Sequence, residues 1–310
     1  MESNYFKELI RSKAYEIGLS AAGFAKSDVL TEEINLFNKW LSNKFNADMA
    51  WLERNSDKRE DINLILENVR SVIVVGLNYY SDYKYTDEPG YGKISRYAWG
   101  DDYHDVLLKK IESLSDFISS INPEIKNKCY VDTGPILEKQ WAVKAGLGWQ
   151  GKNSLILSKA LGSYFFIGII LSTLEFDSDN IIPGHCGKCS ACISACPTEA
   201  IIEPKVVDSN KCISYWTIEA KSNKNLPEHI KNNLNGWLYG CDICQEVCPW
   251  NKKVRNTNEV RFEPRNNESS LSVKKIESMK IEEFRLRFRN SPIKRTKLDG
   301  LRRNCKNLSS

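Results

Sequence analysis

Cys186-Gly187-Lys188-Cys189-Ser190-Ala191-Cys192-Ile193-Ser194-Ala195-Cys196-Pro197 is the stretch on which the fold turns. A second run follows, Cys241-Asp242-Ile243-Cys244-Gln245-Glu246-Val247-Cys248-Pro249, with Cys212 between the two. Eight of the ten cysteines of the chain lie in these 63 residues. A thiolate-bound cluster needs four cysteines converging on one point, and two-residue gaps let successive thiolates wrap one corner of a cubane from a tight loop. The spacing therefore predicts two [4Fe–4S] clusters, and with them electron transfer or a reaction fed by it.

In double-cluster runs of the ferredoxin type the cysteine before the proline ligates the other cluster. Cys186, Cys189 and Cys192 are then expected to share a cluster with Cys248. Cys196 joins Cys212, Cys241 and Cys244. The position three before Cys241 is Leu238, so Cys212 fills that vacancy from a distance. Zinc is the alternative, because Cys-x2-Cys pairs also build zinc ribbons, although zinc sites seldom use the full four-cysteine run before a proline. Cys129 and Cys305 are left over as ordinary thiols. His185 abuts Cys186, as a cluster-tuning group or a plain surface histidine.

At 310 residues, 41% hydrophobic and 27% charged, the chain has the composition of a globular protein of two domains or one enlarged domain. Met1 to Lys7 lacks a basic region leading into an apolar core, and Tyr164 to Leu174 is shorter than the roughly 20 residues of a membrane span. A cytoplasmic protein without a membrane partner is expected, where clustered cysteines are metal ligands rather than disulfides. From Asn251 to Ser310 there are 17 Lys and Arg against 7 Asp and Glu, a net of +10; with +4 for the whole chain, the first 250 residues carry −6. A basic segment on an acidic body points to a polyanion such as nucleic acid, or to a solvated tail.

Phe6 to Ile17 follows a helical period that stops at Gly18, and Ser71 to Leu77 reads as a buried strand. Asp101 is a candidate cap for a helix carrying Leu107, Leu108, Ile111, Leu114, Ile118 and Ile121. Lys128 to Thr133 predicts a short strand that ends in the turn Asp132-Thr133-Gly134-Pro135, and Pro135 a helix start reaching about Ala145. Ser163 to Leu174 predicts another strand or strand pair. Thr198 to Ile202 reads as a helical turn, Lys221 to Leu234 as a polar excursion, and periodicity after Trp250 returns only at Ile276 to Phe288. The expected fold is an α/β (α+β) body over residues 1–180, a ferredoxin-like double-cluster domain over 181–251 and a basic segment over 252–310.

Several segments together resemble the epoxyqueuosine reductase family. They are Tyr97-Ala98-Trp99-Gly100-Asp101-Asp102-Tyr103-His104, Val131-Asp132-Thr133-Gly134-Pro135, Ala145 to Ser154, Cys212 to Glu219 and Gly240 to Asn251. The resemblance implies a cobalamin-binding body and reductive removal of the epoxide oxygen of epoxyqueuosine at the wobble position of tRNA, the last step of queuosine synthesis. Electrons would come from an unidentified low-potential donor and pass through the two clusters to cobalamin. Asp132 matches the family's proton donor, and such a role asks for a pKa raised by burial or a negative neighbour. Taken alone, Asp132 is a turn residue before Gly-Pro. Arg59, Arg96, Tyr97, Asp132, Lys152, Asn153, Ser154, Ser163, Ser214 and Asp242 are the expected cobalamin contacts.

For tRNA the expected contacts are Arg285, Arg287, Arg289, Lys294, Arg295, Arg302 and Arg303, since arginines interleaved with aromatics pair phosphates and stack bases. The rival for Phe284 to Arg289 is an amphipathic helix that buries both phenylalanines, and the two are compatible. Many family members have proline after Arg-x-Asp, whereas Ile62 follows Arg59-Glu60-Asp61 here, which weakens Arg59. The rival functions are a reductive dehalogenase-like enzyme, which also joins cobalamin to two clusters, and a bare electron-carrier module. A body of roughly 180 residues argues against the carrier. A monomer is expected.

Overall fold

The strand Ser71–Asn78 is buried along its whole length, and the body is built on its two faces. Ile73, Val75 and Leu77 pack on one side with Ile10 and Ala14 of the helix Glu2–Glu16 and with Leu107, Ile111, Leu114 and Ile118 of the helix Tyr103–Ile121. Val72 and Val74 face Trp141 and Ala142 on the other. This alternation is what a period of two requires when both faces are covered. The computed structural model describes residues 2–308.

The central strand pairs antiparallel with Ala21–Lys26 on one side and with Phe165–Ser172 on the other, and Asn127–Tyr130 closes the far edge, also antiparallel. The body is thus the α+β form of the expected class, and Ser163 to Leu174 contributes a single strand. The first helix ends before Gly18, whose φ of +84° suits glycine.

Three local expectations change. The cap of the helix Tyr103–Ile121 is Asp102, whose carboxylate accepts from the His104 N–H at 3.2 Å, while Asp101 pairs with Arg265. The helix after Pro135 begins only at Glu138, because the chain reverses between Val131 and Ile136, both buried, and this turn uses the intervening residues. Ile201–Glu203 pairs antiparallel with Val206–Val207 instead of turning helically, with Lys205 at φ +74° in the connection. Of the polar excursion, Glu228–Lys231 is helical, and Leu226, Ile230 and Leu234 are buried with Trp216 and Trp237.

A second sheet has Tyr91–Ile94 at its centre, Trp237–Tyr239 parallel on one edge and Ser270–Ser272 antiparallel on the other. It draws one strand from each of the stretches 1–180, 181–251 and 252–310. Around it the last stretch forms the helices Val273–Ser278, Ile281–Arg287 and Lys297–Leu308, which bury Ile276, Met279, Phe284, Phe288, Leu298 and Leu301 against Ile94, Trp99 and Leu238. The basic segment is therefore a packed core element. Two of its helices are too short to show a periodic stripe in sequence.

Arg303 and Asn304 fasten this segment. Arg303 is 8% exposed and donates to the carbonyls of Trp216, Ala220 and Lys221. Its guanidinium is closed to a polyanion, which corrects its expected tRNA role. Asn304 Nδ2 donates to Thr217 O at 2.9 Å and to Leu238 O at 3.0 Å. Replacing Arg303→Met leaves three carbonyls, two of them buried, without that partner. The midpoint of urea unfolding should fall, with a loss of about 2–4 kcal/mol.

Candidate active site

Cys186, Cys189, Cys192 and Cys248 line one hollow together with Lys152, Asn153, Leu157 and Trp250. The short helix Ala191–Ser194 carries Cys192, and Ile243–Glu246 carries Cys244. Burial pushes the Cys192 and Cys248 thiols up, and each is raised further by the charge of Cys186. The other four behave as a second group. Burial raises Cys212, Cys241 and Cys244; Cys196 raises Cys212, and Cys212 raises both Cys241 and Cys244. Thiols so placed keep their protons until a metal displaces them. The chemistry and grouping of these donors fit two thiolate-held clusters. His185 is exposed beside the first hollow, with its ring 5.0 Å from Trp149. Cys129 lies on the edge strand Asn127–Tyr130 and Cys305 in the helix Lys297–Leu308, both away from these groups.

The second cysteine run is locked to the body by buried polar atoms. Asp242 accepts from Ser95 Oγ at 2.5 Å, from the Arg96 N–H at 2.8 Å and from Gln245 Nε2 at 3.1 Å. The Arg96 guanidinium binds Glu246 at 2.7 Å. Ser163 Oγ donates to Gln245 Oε1 at 2.8 Å, and its N–H to Asn251 Oδ1 at 2.7 Å. Tyr97 meets the Tyr239 hydroxyl at 3.3 Å, and Arg59 is buried, donating to the Arg54 carbonyl. Lys152 donates to Gly187 O at 2.9 Å, and Asn153 Nδ2 reaches Cys244 O at 3.5 Å, so this pair bridges the two thiol groups. Ser154, at φ +65°, and Ser214, on the helix Ile213–Ile218 two residues after Cys212, are half-buried.

Asp132 sits past the end of the edge strand in the left-handed region, at φ +55°, where a short polar side chain is tolerated. Its N–H donates to Glu138 Oε1 at 2.6 Å, and its Oδ2 accepts from the Tyr103 hydroxyl at 2.6 Å. His104 Nε2 lies 3.6 Å from the same oxygen, and its Nδ1 lies 2.7 Å from Asp102 Oδ1. Tyr103 and His104 stack, and Tyr103 lies flat on Phe166 at 4.2 Å. These partners come from the first turn of the helix Tyr103–Ile121. The motif containing them was visible in sequence, but nothing in it assigned them to Asp132.

The side chain of Asp132 is 63% exposed, yet desolvation is the largest influence on its acidity. That combination marks the wall of an open cleft. Burial pushes its pKa up, but the nearby His104 ring, the hydrogen bond from Tyr103 and the charges of His104 and Lys139 bring it below the ordinary value. This corrects the expectation of a raised pKa. Burial likewise pulls His104 down, but Asp102 and Asp132 outweigh it and hold the imidazole at about 9. Glu138 is pushed up to about 8 by burial and by the Asp132 charge. At neutral pH the proton therefore rests on His104 and Glu138, while Asp132 is ionised. Lys139 is depressed by burial and feels the charges of Asp132, Glu138 and Cys244, so Asp132 and the second thiol group lie within electrostatic reach of one side chain.

The family model described as Epoxyqueuosine reductase QueG, DUF1730 matches residues 59–133, and the 4Fe-4S double cluster binding domain matches residues 185–251. An epoxyqueuosine reductase of Atelocyanobacterium thalassa is 43% identical over 302 residues, covering 96% of this chain and 97% of that protein. The chain belongs to the epoxyqueuosine reductase family. A crystal structure of epoxyqueuosine reductase with an epoxyqueuosine-modified tyrosine tRNA stem loop aligns with a TM-score of 0.88 at 29% identity, over 98% of this chain and 81% of that one. A Bacillus subtilis epoxyqueuosine reductase with its catalytic aspartate loop swung out of the active site aligns equally well, at 28% identity over the same shares. This reductase has a double [4Fe–4S] cluster binding domain.

The basic residues of this reductase divide by exposure. Arg285, Arg289, Lys294 and Arg295 reach solvent. Arg287 pairs with Glu268, and Arg302 donates to Met279 O at 2.6 Å. Phe284 and Phe288 are buried, 5.0 Å apart, so the packing reading holds on that face of the helix. Arg295 binds Glu219 at 2.9 Å and lies over the Trp51 ring, and Lys294 binds Asp102 Oδ2 at 2.9 Å. Tyr103, His104 and Glu138 are the residues around Asp132 that sequence reasoning missed.

Gly134 holds the Asp132 turn in place, because a Cβ there would lie 2.3 Å from the Tyr130 ring. Gly134→Ala should displace the turn and lower single-turnover reduction roughly 100-fold. Iron content should stay at the wild-type level in the same preparation.

Proposed function

We infer that this reductase converts epoxyqueuosine to queuosine at the wobble position of tRNA, with cobalamin as the cofactor in the cleft. The reading is carried by the juxtaposition of Asp132 with the second thiol group, since the charges of Asp132 and Cys244 both act on the Lys139 side chain. Cys186, Cys189, Cys192 and Cys248 are assigned to one cluster, and Cys196, Cys212, Cys241 and Cys244 to the other. A low-potential donor, unidentified, would feed them. Cobalamin, when bound, supplies a low-valent cobalt that accepts single electrons and reduces the epoxide carbon.

Ser154, Ser214 and Asn153 are the residues assigned to hold that cofactor. Arg96, Asp242, Ser163, Tyr97 and Arg59 have polar atoms engaged within the protein and are assigned to its walls. Lys152 ties the first cysteine loop. Asp132 delivers the proton to the departing oxygen, with Tyr103 fixing the carboxylate by its 2.6 Å hydrogen bond. Exposed Arg285, Arg289 and Arg295 are assigned to the tRNA phosphates, which attract cations at long range. A monomer acting in the cytoplasm completes the reading.

The test is reconstitution of both clusters, addition of cobalamin and a low-potential reductant, and assay of tRNA carrying epoxyqueuosine. Queuosine should form; none, with iron and cobalt both bound, sinks the substrate claim. Asp132→Asn should retain cobalamin and lose about 10²–10⁴ in turnover. Unchanged turnover removes Asp132 from the acid role. Cys212→Ser should cut the iron content by about half while the other cluster's absorption persists.

A further inference from the structure

The acid group at the cleft holds more ionisable groups than one proton donor needs. Removing an epoxide oxygen as water breaks both C–O bonds, leaves a carbon–carbon double bond, and consumes two electrons and two protons. Both protons end on the same oxygen. One carboxyl carries one proton at a time, and Asp132 at rest carries none. A protonated neighbour within reach of its carboxylate would supply them without waiting on solvent.

We propose that Asp102, His104 and Asp132 form a proton relay, with His104 as the store that charges Asp132 for each of the two transfers to the epoxide oxygen. His104 is a positioning residue, acting through Asp132. Nδ1 of its ring is fixed at 2.7 Å by Asp102, and Nε2 points at Asp132 Oδ2 over 3.6 Å. Such a gap in a protein without substrate closes readily when reactants bind. With both nitrogens directed at carboxylates, the doubly protonated ring is favoured. His104 remains 34% exposed, so water can recharge it.

The charged groups around the imidazole agree with this assignment. Asp102 at the helix cap and Asp132 at the strand end are negative. Lys294, from the C-terminal segment, meets the far oxygen of Asp102 at 2.9 Å and helps hold it ionised. Lys139 and Glu138 flank Asp132 from the following helix. Tyr103 donates to the same Asp132 oxygen, but burial and the Asp132 charge raise its pKa far above the ordinary phenol. Tyr103 therefore orients the carboxylate and parts with its proton less readily than His104. In each cycle the imidazolium proton passes to Asp132 and then to the oxygen, and a proton from solvent restores the imidazolium. The electrons come from the clusters.

The relay rests on the epoxide-reduction reading, and two measurements separate them. The first is a ¹⁵N titration of the histidine rings in the cluster-loaded protein without substrate. His104 is one of three histidines. It should titrate near 9 and fall by roughly one unit or more in Asp102→Asn. Titration at the ordinary value of about 6.5 in the wild type overturns the store. The second is the single-turnover rate against pH, at matched iron and cobalt content. The wild-type rate should fall as pH rises through about 9. His104→Gln should be about 10- to 100-fold slower near neutral pH and lack that limb. Asp102→Asn should keep the limb but move it to lower pH. A His104→Gln profile that retains the wild-type limb, or an Asp102→Asn profile that leaves it in place, overturns the relay while the substrate reading stands. If His104→Gln fails to hold its clusters, Asp102→Asn decides alone. No turnover by the wild type overturns the substrate reading, and the relay as an epoxide device with it.

Discussion

The pair Arg303–Asn304 is the contact on which the cluster domain depends. Cys212 ends a 3-10 turn and opens the helix Ile213–Ile218, whereas Cys241 follows the strand Trp237–Tyr239. Nothing local brings these cysteines together across their intervening loop. Asn304 does so by donating to the carbonyls of both Thr217 and Leu238, and the Gly240 N–H closes the seam on Thr217 Oγ1 at 3.0 Å. Arg303 satisfies the three carbonyls at the end of the same helix and accepts the desolvation of its charge in exchange. The last helix of the chain is thus a structural part of the second thiol group.

A second buried network fixes the distance between that group and the body. Asp242, wholly buried, is hydrogen-bonded from Ser95, Arg96 and Gln245; Gln245 binds Ser163, and Asn251 binds both. A buried carboxylate is tolerable only when its lone pairs are filled, and here they are. Because the network spans residues 95 to 251, the thiols of the second run cannot shift without breaking it. A satisfied polar network fixes a position more specifically than apolar packing alone.

The acid group is built by the opposite means. Asp132 stands on an exposed turn held by Gly134, and the side chains that face its carboxylate, Tyr103 and His104, reach it from the first turn of another helix. The cap residue Asp102 serves the helix and the imidazole with one carboxylate oxygen. Its other oxygen meets Lys294 of the C-terminal segment. A stretch that looked like a basic tail therefore contributes a charge to the proton chemistry as well as a core to the fold.

Much of this protein could be read from residue order. The cysteine gaps specify iron–sulfur loops because ligand convergence over two or three residues is a local property of the backbone. The buried strand at Ser71 and the helix stripe from Leu107 were legible for the same reason, since period and burial are written in neighbouring residues. The antiparallel sheet, the packed C-terminal segment and the burial of Arg303 were not, because each depends on segments tens to hundreds of residues apart. The family motifs named Asp132, but only the tertiary structure decided its protonation. Its pKa is set by Tyr103, His104 and Lys139 in space. The electrostatic field at a carboxylate is a sum over distances, and sequence alone does not contain those distances.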